Sequence, residues 1–162
     1  MKTVTIEYCG MAGSGRNVTE AKNDAARKLV TLVHDIQSGP SVVDVYGEKA
    51  IVWRHDDGWR YAIVDVGAGY GRNYSMMHSG HGSKAETEMA ARYHLAQNLW
   101  RLTVEDDWRY CTECGLDDER ARELVSWAMF QRAYREAIER GADDNMARQV
   151  AGGLAKLEDI AA

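Results

Sequence analysis

Gly13 to Ile36 read GSGRNVTEAKNDAARKLVTLVHDI, and our prediction of the fold depends on this stretch. Its two leading glycines interrupt any regular structure before them. Thr19, or Asn17 one turn earlier, can cap a helix that starts there, because side-chain oxygens accept the first free amide hydrogens. We therefore predict a long helix over residues 18–37.

Apolar residues then recur at spacings of three and four, which places them in one stripe along the predicted helix. The stripe consists of Ala21, Ala25, Leu29, Leu32, Val33 and Ile36. Ser38-Gly39-Pro40 follows it, and glycine and proline in this order are typical of a helix end. We expect the stripe to face the core.

The same stretch resembles the last helix of the double-stranded RNA-binding domain. That family has a glycine pair, a basic helix start and then Ala-Lys-x-x-Ala-Ala-x-x-Ala-Leu. Here Gly13-Ser14-Gly15 precedes Ala21-Lys22-Asn23-Asp24-Ala25-Ala26-Arg27-Lys28-Leu29-Val30. The resemblance implies an α+β fold and phosphate contacts from the helix start. Val18 and Thr19 stand where the family has its two phosphate-binding lysines, so Lys22 and Arg16 remain for that contact.

A second helix is predicted over residues 83–103. Ser83 can cap it, and Glu86 stands at capping-box spacing. Its apolar positions match those of the first helix at one constant offset: Thr87, Ala91, Leu95, Leu99 and Leu102. Two interpretations stay open, a repeated motif or one domain of α-β-β-β-α order spanning residues 18–103.

Strands are predicted before and between these helices. Residues 3–9 alternate apolar and polar side chains, which is typical of a half-buried strand. Residues 41–78 hold several short β-branched and aromatic runs, and Asp56-Asp57-Gly58 is a strong hairpin turn because Asp-Gly tolerates positive φ. We expect these runs to form an antiparallel sheet.

The C-terminal part is predicted to be helical. Asp117 can cap a helix over residues 117–140, and Asp143 or Asp144 can cap another that continues to Ile160. The predicted fold is α+β: an antiparallel sheet of four or five strands with both long helices on one face, plus a helical extension. The domains are residues 1–104 and 117–162, joined by a connector at 105–116.

Composition limits the function. The chain has 162 residues, one proline and a formal net charge of -5. An acidic total counts against a general nucleic-acid binder. The sequence contains no run of about 18 apolar residues, so no membrane span is predicted. Three cysteines fit a reducing cytosol, so we expect a cytoplasmic protein without a membrane partner.

Cys111-x-x-Cys114 has half of the ligands of a zinc knuckle. A closed zinc site needs four ligands, and the sequence offers no convincing second pair. We predict a reduced thiol pair, with no metal and no other cofactor. No catalytic residue is assigned, because His55, Asp56, Asp57 and His78 form no recognisable catalytic set.

We expect a non-enzymatic binding protein, with two interpretations open. The first is binding to RNA or another structured nucleic acid through Arg16, Lys22, Arg27, Lys28 and Lys84, as the resemblance implies. The second is a small acidic accessory or inhibitor protein, of a phage or mobile element, that contacts another protein. Its candidate contact residues are Trp53, Trp59, Tyr70 and Tyr74. The oligomeric state stays open.

Overall fold

The computed structural model describes residues 2–34, 36, 39–56, 58–64, 78–79, 82–103 and 106–160. The chain divides into two compact units, Met1–Thr103 and Val104–Ala162. The first unit is α+β and the second is helical. The α+β class is therefore confirmed.

The described residues of the first unit form six strands and two helices. They are β1 (Val4–Tyr8), β2 (Met11–Gly15), α1 (Val18–Val33), β3 (Ser41–Val45), β4 (Glu48–His55), β5 (Gly58–Val64), β6 (His78–Ser79) and α2 (Lys84–Thr103). Asn17 caps α1, since its side chain accepts a hydrogen bond from the amide of Glu20 at 2.9 Å. Ser83 accepts a hydrogen bond from the amide of Glu86 at 3.2 Å, as the capping residue of α2 should.

The strands form two antiparallel sheets, where a single sheet was predicted. Among the described strands, β1 and β2 pair with each other and with no other strand, and β3, β4 and β5 pair in that order, with the two-residue β6 beside β5. β1 pairs with β2 because the chain reverses at Cys9 and Gly10. Both of these residues have positive φ and form a two-residue turn.

β2 packs directly on α1 through its glycines. A methyl group on Gly13 would lie 2.0 Å from the carbonyl oxygen of Ala21 and 2.6 Å from the nitrogen of Ala25. A methyl group on Gly15 would lie 2.5 Å from the β-carbon of Glu20. The glycine pair and the small residues of α1 therefore let strand and helix approach closely, and this contact fixes how α1 is rotated.

α1 covers one face of the larger sheet. Ala26, Leu29 and Val30 of the helix form a buried cluster with residues of β4 and β5. The strand residues of this cluster are Ile51, Trp53, Ala62 and Val64. Ile51 and Ala62 are direct cross-strand partners, so these side chains share one face.

α2 covers the opposite face. Ser41 donates a hydrogen bond to Glu88 of α2 at 3.0 Å, and the ring of Tyr61 meets His94 of α2 edge-on at 6.0 Å. Ser41 and Tyr61 are the cross-strand partners of Val52. Because side chains alternate along a strand, Val52 points to the opposite face of the sheet from Ile51 and Trp53. The prediction that both helices lie on one face is therefore wrong. Ala50 to Trp53 are buried without interruption, so both faces of β4 need cover.

Residues 106–160, the described part of the second unit, form three helices and a short 3₁₀ turn. They are α3 (Asp107–Glu113), α4 (Asp118–Glu139), α5 (Asp144–Ala151) and the turn Leu157–Asp159. Asp117 and Asp143 cap α4 and α5 as expected. The segment predicted as a connector contains α3, because Asp106 caps a helix there. The prediction that the last helix continues to Ile160 is wrong, since α5 ends at Ala151 with Gly152 as its C-cap.

Acidification is expected to destabilise the first unit through His34, which follows α1. Its ring stacks on that of Trp53 with centroids 5.2 Å apart. Burial, and then the charge of His55, hold the pKa of His34 below its usual value. The unfolded chain therefore binds the proton more readily. Stability should fall as pH drops through about 6.5, the range of an exposed histidine.

A His34→Phe variant, which keeps a ring against Trp53, should lose this part of the pH dependence. Urea unfolding followed by NMR signals of β4, at several pH values from about 8 to 5, measures the difference. Equal pH dependence of the two proteins would contradict the role given to His34.

Candidate protein-binding groove

Arg16, predicted to contact nucleic acid, is held by a neighbouring carboxylate. Its Nη2 lies 2.6 Å from Glu20 Oε1, and its backbone amide donates to Glu20 Oε2 at 2.8 Å. These hydrogen bonds hold the pKa of Glu20 below its usual range. The local charge around Arg16 is therefore close to neutral.

Two predicted lysines are also paired within α1 and α2. Lys28 Nζ lies 2.7 Å from Asp24 Oδ2, and Lys84 Nζ lies 3.8 Å from Glu88 Oε1. The hydrogen bond from Lys28, and then the amide of Ser14, lower the pKa of Asp24. Three of the five predicted cations thus have a carboxylate within ion-pair distance.

Lys22 and Arg27 have different surroundings. Lys22 is exposed, and its Nζ lies 5.7 Å from the ring centroid of Tyr8, a cation–π distance. Arg27 is exposed on α1, where its charge contributes to the low pKa of Asp24. Lys84 is on α2, which covers the opposite face of the sheet from α1, so the five predicted residues do not form one basic face.

Of the predicted aromatic contact residues, the structure describes Trp53 and Trp59, which have different surroundings. Trp53 is 1% exposed in the core under α1, so a partner cannot reach it without unfolding, and that assignment is wrong. Trp59 is half-buried, and Arg54 lies 5.9 Å from its ring centroid. Tyr70 and Tyr74 lie outside the described residues.

An open groove with a volume of about 560 Å³ lies beside the second half of α1. Its lining residues are Met11, Arg27, Lys28, Thr31, Leu32 and Pro40. Leu32 is 73% exposed, more than any other apolar side chain of α1 that the structure describes. The groove thus places apolar side chains next to two cations, Arg27 and Lys28. We call it the α1 groove.

The α1 groove exists because the β1–β2 hairpin is shorter than α1. β2 runs along the helix from Gly15, near Ala21, to Met11 in the groove. Leu32 lies about three helical turns beyond Ala21 and so continues the face that the hairpin covers. The hairpin has already turned back at Cys9 and Gly10.

Sequence reasoning assigned Leu32 to the buried stripe and did not consider Met11, Thr31 or Pro40 as binding residues. The period of the stripe was correct, since Ala21, Ala25 and Leu29 are buried. β2 is not recognisable as a strand from the sequence. The length of the hairpin that covers the stripe could therefore not be predicted.

The acidic excess of the chain lies in the second unit. Met1–Thr103 holds 12 Lys and Arg against 11 Asp and Glu, whereas Val104–Ala162 holds 8 against 14. The net charge of -5 therefore says little about the surface near the α1 groove, which has to be judged from its own residues.

Cys111 and Cys114 lie in the core of the second unit, 1% and 2% exposed. Burial raises the pKa of the Cys111 thiol to about 11, so its reactive thiolate is disfavoured. Across the described residues, no three His, Cys, Asp or Glu side chains are grouped as ligands of one ion. The absence of zinc stays a prediction.

Among the helices of the described residues, none has the length and apolar character needed to cross a membrane. No protein-family model, no curated protein and no solved structure matches the chain. Function therefore has to be argued from the α1 groove itself.

Proposed function

We propose that this protein is a non-enzymatic binding protein that holds another protein in the α1 groove. The observation that carries the proposal is Leu32, which is 73% exposed in a groove that also contains Met11 and Pro40. Burying one exposed leucine contributes about 1.5–3 kcal/mol to binding, which makes such a residue an effective anchor. We assign no catalytic residue and no cofactor.

Charge defines the chemistry of the partner. Arg27 and Lys28 lie beside the apolar lining, and Lys28 also forms an ion pair with Asp24. A segment that offers a large apolar side chain with a neighbouring carboxylate would satisfy both parts of the groove. The chemistry suits an accessory protein that recognises an acidic, apolar stretch of its target.

Nucleic-acid binding is supported less well. Affinity for phosphates comes from cations that can release counterions, and Arg16, Lys28 and Lys84 are near carboxylates instead. The apolar lining of the α1 groove would add little affinity for the phosphate backbone of a nucleic acid. The resemblance to the double-stranded RNA-binding domain stays a prediction.

A displayed library of random linear peptides should identify the preferred ligand. We expect selection of peptides that contain a large apolar residue close to Asp or Glu. Leu32→Ser should weaken binding of a selected peptide by at least about tenfold, because the apolar contact is lost. Isothermal titration calorimetry measures the affinities.

Val18→Ser is the matched control, since Val18 is also on α1 and 52% exposed but lies far from the groove along the helix. It should leave the affinity unchanged. Failure to select any peptide, or equal losses for the two variants, would overturn the proposal. Retention on duplex RNA at low salt that Lys22→Glu abolishes would support the nucleic-acid interpretation instead.

A further inference from the structure

The outer edge of β3 is open in the part of the chain that the structure describes. β3 pairs with β4 along Ser41–Val45, and no described strand pairs with its other side. An edge strand presents backbone amide and carbonyl groups that a second extended chain can bind. This edge belongs to the same sheet that α1 covers.

The turn between β3 and β4 determines which backbone groups point outward. Tyr46 and Gly47 have positive φ and form a two-residue turn, closed by the pair Val45 and Glu48. Hydrogen-bonded and non-hydrogen-bonded pairs alternate along an antiparallel ladder. Val43 therefore bonds to β4, whereas the amides and carbonyls of Val42 and Asp44 face the open edge.

The open edge continues directly from the α1 groove. Pro40 lines the groove, and Ser41, the next residue, begins β3. Val42 and Met11 both pack on the core cluster under α1. A chain that binds the edge would thus carry alternate side chains toward the α1 side of the sheet, where the groove lies.

Little protects this edge from pairing. Its five residues run in unbroken register with β4 and contain no proline. Its one charged side chain, Asp44, is engaged with Lys49 and with the amide of Gly47. Prolines, bulges and unpaired charges are the usual devices that keep edge strands from pairing.

We propose that the partner segment binds in an extended conformation and adds a strand to the outer edge of β3. This inference rests on the proposed function of the α1 groove. The backbone groups of Val42 and Asp44 supply main-chain hydrogen bonds, and the groove receives an apolar side chain of the added strand. Arg27, which also lines the groove, attracts its acidic residues.

The conformation predicts the spacing within the ligand. Side chains of a strand that point to one face are two residues apart. The apolar anchor and the carboxylate of selected peptides should therefore stand at positions i and i+2. A bound helix would instead show spacings of three and four.

Amide hydrogen exchange tests the backbone contact directly. With a selected peptide at saturation, exchange at Val42 and Asp44 should slow by about tenfold or more, as newly bonded strand amides do. The amide of Val43, which already bonds to β4, should change much less. A peptide methylated at alternate backbone nitrogens should bind at least about tenfold more weakly than the unmethylated peptide.

The outcomes separate the two proposals. A peptide that depends on Leu32 but leaves exchange at Val42 and Asp44 unchanged would overturn strand addition and leave the α1 groove in place. If no peptide is selected, the proposed function itself fails. Concentration-dependent protection of the two amides without peptide would show a second copy of the chain on the edge and overturn the inference.

Discussion

Gly13→Ala is expected to destabilise the first unit by about 3 kcal/mol, the upper end of the usual cost of an added group in a packed interior. The new methyl group would lie 2.0 Å from the carbonyl oxygen of Ala21 and 2.7 Å from the β-carbon of Ala25. Two of its three nearest atoms belong to the helix backbone, which cannot turn aside as a flexible side chain can. The hairpin and α1 would have to separate.

Gly39→Ala is the matched control, because a methyl group there meets no heavy atom within 4 Å. Its effect should stay within about 0.5 kcal/mol. Urea unfolding followed by NMR signals of β4 measures both variants. Ala25→Gly should not rescue Gly13→Ala, since the closest contact is with Ala21. A Gly13→Ala protein as stable as the original would show that β2 does not pack on α1 in this way.

Helix starts were predictable from the sequence because capping is local chemistry. Asn17, Ser83, Asp117 and Asp143 were all named as candidates, and each accepts the amide hydrogen bond expected of a cap. The end of α1 was less predictable. The helix stops at Val33, whereas the prediction ran to residue 37 because it relied on the distant Gly39-Pro40 signal.

β2 could not be recognised from its own residues. Met11–Gly15 contains two glycines and no β-branched residue, and such a run has low strand propensity. It is a strand because α1 requires a flat neighbour without side chains at Gly13 and Gly15. In the sequence, the glycine pair Gly13 and Gly15 resembles the start of a helix. In the structure these glycines lie in β2 and let the strand pack closely on α1.

The arrangement of the helices was missed although the sequence carried a signal. Ala50-Ile51-Val52-Trp53 is an unbroken apolar run, and such a strand is buried on both faces. The prediction placed both helices on one side because their apolar stripes match. Trp53 was predicted as a candidate contact residue, whereas it packs under α1.

The residues that line the α1 groove were only partly predictable from the sequence. Arg27 and Lys28 stood out as cations on a helix, and both line the α1 groove. Met11, Leu32 and Pro40 come from three separate parts of the chain. Their proximity depends on the length of the hairpin, which is a property of the folded unit.

Asp44→Asn is expected to destabilise the first unit by about 3–5 kcal/mol, because it leaves a buried cation without its partner. The side chain of Lys49 is 2% exposed, and its Nζ is bonded to Asp44 Oδ2. The Asp44 side chain is 39% exposed, so water reaches the carboxylate but not the ammonium. Asparagine keeps the size of the side chain and an oxygen for the amide of Gly47.

Lys49→Met should cost much less, about 1 kcal/mol, since it removes the buried charge and leaves Asp44 in contact with water. The double variant should be more stable than Asp44→Asn alone, because no unpaired ammonium remains. Urea unfolding of the three variants, arranged as a double-mutant cycle, gives the coupling energy of the pair. If Asp44→Asn proved no more harmful than Lys49→Met, Lys49 would not depend on Asp44 for its charge, and water or another acceptor would have to reach it.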